Sequence, residues 1–161
     1  MVSDRVQMLA ARVAEITDEV IAFAEQCTLE EWRSVTYDER WQVGVVCRHI
    51  ARSLAVYPAI IRRQVSGEPP PAQLNWEDVH CSNAQQAKDW ADGSEEEAVA
   101  MLRRHGDQLA RTIRLLADEQ LGPTATSPLT GKVLSTQQVV ASMIGHVRGH
   151  LQSAEATVSK H

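Results

Sequence analysis

Apolar residues recur at spacings of three and four in four long stretches of this chain, and almost nowhere do they alternate. That period belongs to the α-helix and gives each stretch a single apolar stripe. From Val6 onward, Met8, Leu9, Val13, Ile16, Val20, Ile21 and Ala24 predict helix one over about 4–26. Val45, Val46, Ile50, Leu54, Tyr57, Ile60 and Ile61 predict helix two over about 42–66, with Pro58 inside it as a candidate kink. Ala98, Met101, Leu102, Leu109, Ile113 and Leu116 predict helix three over about 94–117; the fourth helix covers about 135–158. Four amphipathic helices that share one core make an all-α four-helix bundle, and 161 residues suit a single domain, 1–161.

The breaks between these stretches have local causes. Thr28 with Glu31, Ser94 with Glu97 and Ser135 with Gln138 are spaced as capping boxes, which satisfy free amides at a helix start. The first of them opens a short helix at about 29–33. "SGEPPPAQ" closes helix two, because consecutive prolines cannot continue it. Residues 72–93 then form a long connection with a helix around 82–91, which predicts a crossover between helices two and three. "DEQLGPTATSPLTGK" reads as loop.

Composition narrows the function. The net charge is −5 with Lys and Arg scattered, which argues against a phosphate-binding surface and hence against nucleic acid. No apolar run is long enough to span a membrane, and the N-terminus carries charges throughout. Cys27, Cys47 and Cys81 are too scattered for a disulfide framework and fit a reducing cytoplasm.

The chemistry concentrates in "MIGHVRGHLQS". His146 and His150 are four apart, so one helix face presents both rings. Val139, Met143, His146, His150 and Ser153 form a stripe expected to face inward. Helix two adds His49, on a face with Val45, Val46, Ser53 and Val56, also expected inward. Three neutral imidazoles would hold a divalent ion and leave it an open position, as catalytic sites do. The plainer alternative is histidines satisfied by hydrogen bonds. Gly145 and Gly149 flank the pair; they allow either close helix approach or an open space beside it.

Other candidates point less sharply. His80 and Asn83 lie in the crossover, where they can line a pocket; Trp41 or Trp76 can wall one. His105 reads as solvated, and Trp32, Trp41, Trp76 and Trp90 as plugs at the bundle ends. "SPLTGK" lacks the preceding glycine of a phosphate loop. No paired-carboxylate site or dedicated base stands out.

Three segments carry a family likeness: "ERWQVGVVCRHIA", "NAQQAKDWADGSEEEAVAMLRRHGDQL" and "LSTQQVVASMIGHVRGHLQSA". With the helix spacing they resemble the DinB-like superfamily of bacterial four-helix bundles, relatives of the N-terminal domain of mycothiol-dependent maleylpyruvate isomerases. Those isomerases carry a further C-terminal domain beyond the part this sequence resembles. The family's metal triad maps onto His49, His146 and His150. The resemblance implies a divalent metal, nickel or zinc first and iron or manganese next, and a homodimer. It also implies a small-molecule substrate and, in some relatives, transfer of a thiol such as mycothiol or bacillithiol. The expected function is therefore a metal-dependent thiol transferase or hydrolase, or else a non-catalytic metal-binding bundle.

Overall fold

A computed structural model describes residues 3–69 and 75–160. Among the described residues six α-helices run in chain order: α1 (Asp4–Gln26), α2 (Leu29–Arg33), α3 (Val43–Ser66), α4 (Trp76–Asp89), α5 (Glu95–Arg114) and α6 (Thr136–Val158). The all-α bundle expected from periodicity is thus the fold, built from α1, α3, α5 and α6. Its core comes from the predicted stripes: Val13, Ile16, Leu54, Ile61, Leu102, Leu109, Ile113, Val140 and Val147 are all fully buried.

Local signals set most helix ends. Thr28–Glu31 and Ser135–Gln138 form complete capping boxes. The third pair forms only half of one: Ser94 accepts from the Glu97 amide, while the Glu97 carboxylate is drawn off to Arg48, 3.3 Å away. Helix α3 runs through Pro58. It stops before the prolines, at Gly67, whose φ of 72° lies in the left-handed region that ends helices with little cost for glycine. Of the proline run, Pro70 and Pro71 lie outside the described residues, as do Ala72, Gln73, Leu74 and His161.

Three boundaries differ from expectation. Helix α4 starts at Trp76 rather than near 82, because Asn75 caps it by accepting from the Glu77 amide, 2.8 Å away. Helix α5 ends at Arg114. The loop read over 118–132 holds a 3-10 turn at Asp118–Leu121, and it meets an antiparallel hairpin of β1 (Thr124–Thr126) with β2 (Val133–Ser135). Strands of three residues are too short to show period-two patterning in a sequence. Gln64 anchors the hairpin, its amide donating to the carbonyls of Pro123 and Leu134 at 2.8 and 3.0 Å.

The helices pack as a square in the order α1, α5, α3, α6, so α1 faces α3 across a diagonal. Side-chain ties fix the directions. Ser3 and Arg5 at the start of α1 bond Asp118, just beyond α5, and Arg5 also bonds Gln137 at the start of α6. Arg48 near the start of α3 meets Glu97 near the start of α5. Helices α3 and α5 are therefore parallel. Trp32 plugs the end where α1 turns into α3: it is buried and its indole donates to the Gly93 carbonyl at 3.1 Å. The candidate site lies on the seam between α3 and α6.

Candidate metal centre

His49 sits one and a half turns into α3, and His146 and His150 sit on consecutive turns of α6. Antiparallel packing of the two helices brings the three rings together. Ring centroids are 4.5 Å apart for His146–His150, 4.9 Å for His49–His150 and 5.7 Å for His49–His146. Each ring offers a nitrogen, and the three lie within 4.8 Å of one another. Among the described residues this is the group of histidines, cysteines and carboxylates able to hold one metal ion.

The sequence does not foretell how open the group is. His49 and His150 are half-buried, but His146, expected on an inward stripe, is exposed. Val56, expected inward beside His49, is 46% exposed. The stripe assignment fails here because a cavity of about 650 Å³, lined by both His146 and Val56, opens along this seam. Gly145 and Gly149 do not line this cavity, but an added Cβ at either would meet nothing within 4 Å. They face open space, so neither serves a close helix approach.

The loop between α2 and α3 supplies the second layer of the site. Val35 and Gln42 pair as an isolated antiparallel bridge, and the Thr36 amide donates to the Trp41 carbonyl at 2.8 Å. To close so tight a loop, Arg40 takes a φ of 61°, a left-handed conformation that costs a non-glycine residue about 1–3 kcal/mol. The turn aims its two neighbours at the histidines. Glu39 Oε1 lies 2.8 Å from His150 Nδ1, and Glu39 Oε2 accepts from the Ser153 hydroxyl at 2.6 Å. Trp41 stacks near His150 and tilts against His49, with centroids 6.5 and 5.2 Å away.

Glu39 is the functional residue that sequence reasoning missed. Its one signal was its place in "ERW", ten residues before His49, and a lone loop carboxylate has no periodicity to betray it. A carboxylate on Nδ1 holds the proton there and leaves Nε2 of the same ring as the free donor, an arrangement common behind metal-binding histidines.

The electrostatics suit the same role. Burial lowers the pKa of His49 to about 4, helped by the neighbouring His150 and His146 rings and Arg52. Crowding of the His146 ring by protein, and then His150, lower its pKa to about 4, although the residue is exposed at the cavity wall. Both imidazoles are therefore neutral at pH 7, the state a metal requires. Burial pushes the Glu39 carboxyl upward, but hydrogen bonds from Ser153, His150 and Thr36 outweigh that, and its pKa is lowered. Three imidazoles with a carboxylate behind one of them match the donor set of a divalent-metal site.

The remaining candidates separate. Trp76 and Asn83 line the cavity, as do Arg52, Ser53, Tyr57 and Ser142; His80 does not, and stacks on Trp76 at 5.9 Å instead. Burial raises the Tyr57 pKa, which keeps its phenol neutral. His105, read as solvated, is half-buried with an unpartnered Nδ1. Cys47 is buried in the core and Cys81 is exposed. A separate cleft of about 460 Å³ is lined by Cys27, Asp92, Glu95 and Glu96 and touches none of the three histidines. Burial, then Glu31 and Glu95, raise Cys27 to about 11, so its thiol stays protonated and unreactive.

The model of the mycothiol maleylpyruvate isomerase N-terminal domain matches residues 13–158, a span that contains all three histidines and Glu39. The chain belongs to this family. The DinB-like resemblance drawn from the sequence is thereby borne out. A solved structure, YfiT from Bacillus subtilis, described as "a probable metal-dependent hydrolase with an unusual four-helix bundle topology", superposes with a TM-score of 0.80. The likeness covers 99% of this chain and 90% of that one at 16% identity, and it shows a shared fold. No curated protein sequence matches the chain. The isomerase-domain family thus has, in this member, a three-histidine cluster at the edge of an open cavity. Among the described residues no helix is long and apolar enough to cross a membrane.

Proposed function

We propose that this protein is a divalent-metal-dependent enzyme acting on a small molecule, with His49, His146 and His150 as the protein's ligands to the ion. The observation that carries this reading is the convergence of three imidazoles beside a cavity of about 650 Å³. Nickel or zinc suits the all-nitrogen donor set best, with iron or manganese as weaker candidates. Such an ion, when bound, lowers the pKa of a coordinated water toward ~7 or holds a coordinated thiol as its thiolate.

The chain's own residues then have distinct tasks. Glu39 keeps the proton on His150 Nδ1 and so leaves Nε2 as the donor. Ser153 holds the other carboxylate oxygen and fixes the angle of that contact. Trp41 covers one side of His49 and His150 and excludes water there. The cavity, open past His146, admits and orients the substrate.

We favour transfer of a low-molecular-weight thiol, mycothiol or bacillithiol, to an electrophilic substrate; the family description supports the thiol. Hydrolysis is the alternative, supported by the description of YfiT. The three free cysteines fit a cytoplasmic protein, and the family resemblance a homodimer.

Metal analysis tests the site first. Wild type purified from metal-supplemented cells is expected to carry one ion per chain, and His146→Ala none; equal, empty protein in both cases ends the proposal. Metal-loaded protein offered mycothiol or bacillithiol with an electrophile should then consume thiol faster than metal-free protein. Equal rates across a broad panel would leave a metal-binding protein without transferase activity, and ester or amide cleavage in the same panel would favour the hydrolase.

A further inference from the structure

The cavity beside the histidines is a trough with unlike ends. Its floor is α3 from His49 to Ile60, which at 1.5 Å per residue is about 16 Å long. At the histidine end the lining is polar: His49, His146, Arg52 and Ser53. Arg52 stands one turn from His49 and makes no ion pair among the described residues. The lining's acid, Asp78, is an exposed residue on α4. Further along, the lining is mostly apolar, with Val56, Ile60, Leu134, Leu129, Trp76 and Val79 beside the polar Ser127 and Thr130.

Several of these apolar groups are left uncovered by the fold. Val56 is 46% exposed, Ile60 42% and Trp76 50%. Large apolar side chains gathered in one concave surface, rather than scattered, mark a binding site. Helix α4 lines the trough with Trp76, Val79 and Asn83 and buries none of its residues fully. The volume of about 650 Å³ falls within the range of small-molecule sites. The cavity's polar end includes His49 and His146 of the histidine cluster, and that suits a small ligand with a reacting head rather than a protein surface.

We propose that the trough takes an amphiphile: an apolar body up to about 16 Å long lies along α3 against Ile60, Val56 and Trp76, and an anionic head meets Arg52 beside the histidines. This names a substrate class for the proposed metal-dependent reaction and rests on that reading for the head group's chemistry alone. The apolar subsite is a property of the chain and exists without an ion.

The test is a chain-length series of straight-chain carboxylates, from butanoate to decanoate, titrated calorimetrically into metal-free and metal-loaded protein. Affinity is expected to rise about fourfold per added methylene until the trough is filled, in both forms of the protein. Ile60→Ser and Trp76→Ala should each weaken decanoate by about tenfold and leave butanoate unchanged. Both side chains are already largely exposed, and circular dichroism checks that the variants fold. Affinity that does not climb with chain length overturns the proposal, as does a climb that both variants leave intact. A flat series in which the two variants also convert a dimer to a monomer overturns it too, and assigns the trough to contact between copies. A climb in protein that binds no metal sinks the proposed reaction but not this subsite; metal binding with a flat series does the reverse.

Discussion

Glycine has opposite meanings on two seams of this bundle. Where α1 packs on α5, Gly106 lies against Thr17 so closely that a Cβ would collide with that side chain. Thr17 is itself buried, its hydroxyl tied back to the Val13 carbonyl at 2.7 Å. On α6, whose histidines meet α3, Gly145 and Gly149 look into open space. The first seam is filled to the last atom and belongs to stability. The second is left unfilled along one side, and there the histidines, the cavity and the exposed apolar side chains gather. A residue type that reads identically in sequence thus marks closure on one face of the square and vacancy on another.

That contrast can be broken by substitution. The largest effect is expected on the open seam, at the metal. His49→Ala should abolish metal uptake, a greater loss than the ~10–100-fold that removing a supporting partner costs. The melting temperature of the metal-free protein should hardly change. A variant that still binds metal tightly by calorimetry would remove His49 from the site. Glu39→Gln should lower metal affinity by about 10–100-fold, because the amide no longer holds the proton on His150 Nδ1 as a carboxylate does. Unchanged affinity would reduce Glu39 to a loop contact.

The closed seam should respond in stability instead. Gly106→Ala is expected to cost about 1–3 kcal/mol, as overpacking does, with metal affinity kept; denaturant melts measure it. Gly145→Ala should do the opposite by a smaller amount, gaining up to about 1 kcal/mol from helix propensity. If Gly106→Ala were harmless and Gly145→Ala destabilising, the comparison of the two seams would be reversed.

Acid separates the seams by a gentler route. The folded, metal-free protein keeps His49 and His146 neutral down to about 4, whereas the unfolded chain takes up those protons near the ordinary histidine value of 6.5. The unfolded state then binds more protons between these values, so stability should fall as pH drops from about 6.5 toward 4. The lowered carboxyl of Glu39 acts in the same direction at the acid end. Replacing His49 by Gln should flatten this part of the curve; a slope unchanged by that substitution would place the sensitive group elsewhere.

Much of this was legible before any coordinates. Helices α1, α2 and α6 begin and end within a residue of their expected bounds, because capping side chains and apolar spacing act within a few residues of one another. His146 and His150 share a face by helix geometry alone, and His49 stood out as a histidine in an apolar helix. What sequence left open is non-local. The diagonal placement of α1 and α3 depends on how the connections cross the bundle end. Exposure of His146 and Val56 depends on what does not pack above them, and no periodicity records an absent neighbour. Glu39 reaches His150 across 111 positions of chain through a turn held by an unusual φ at Arg40. Local order was written in spacing and caps. The ring-to-ring convergence, the carboxylate behind it and the trough beside it come from contacts between distant segments, which only the packed bundle decides.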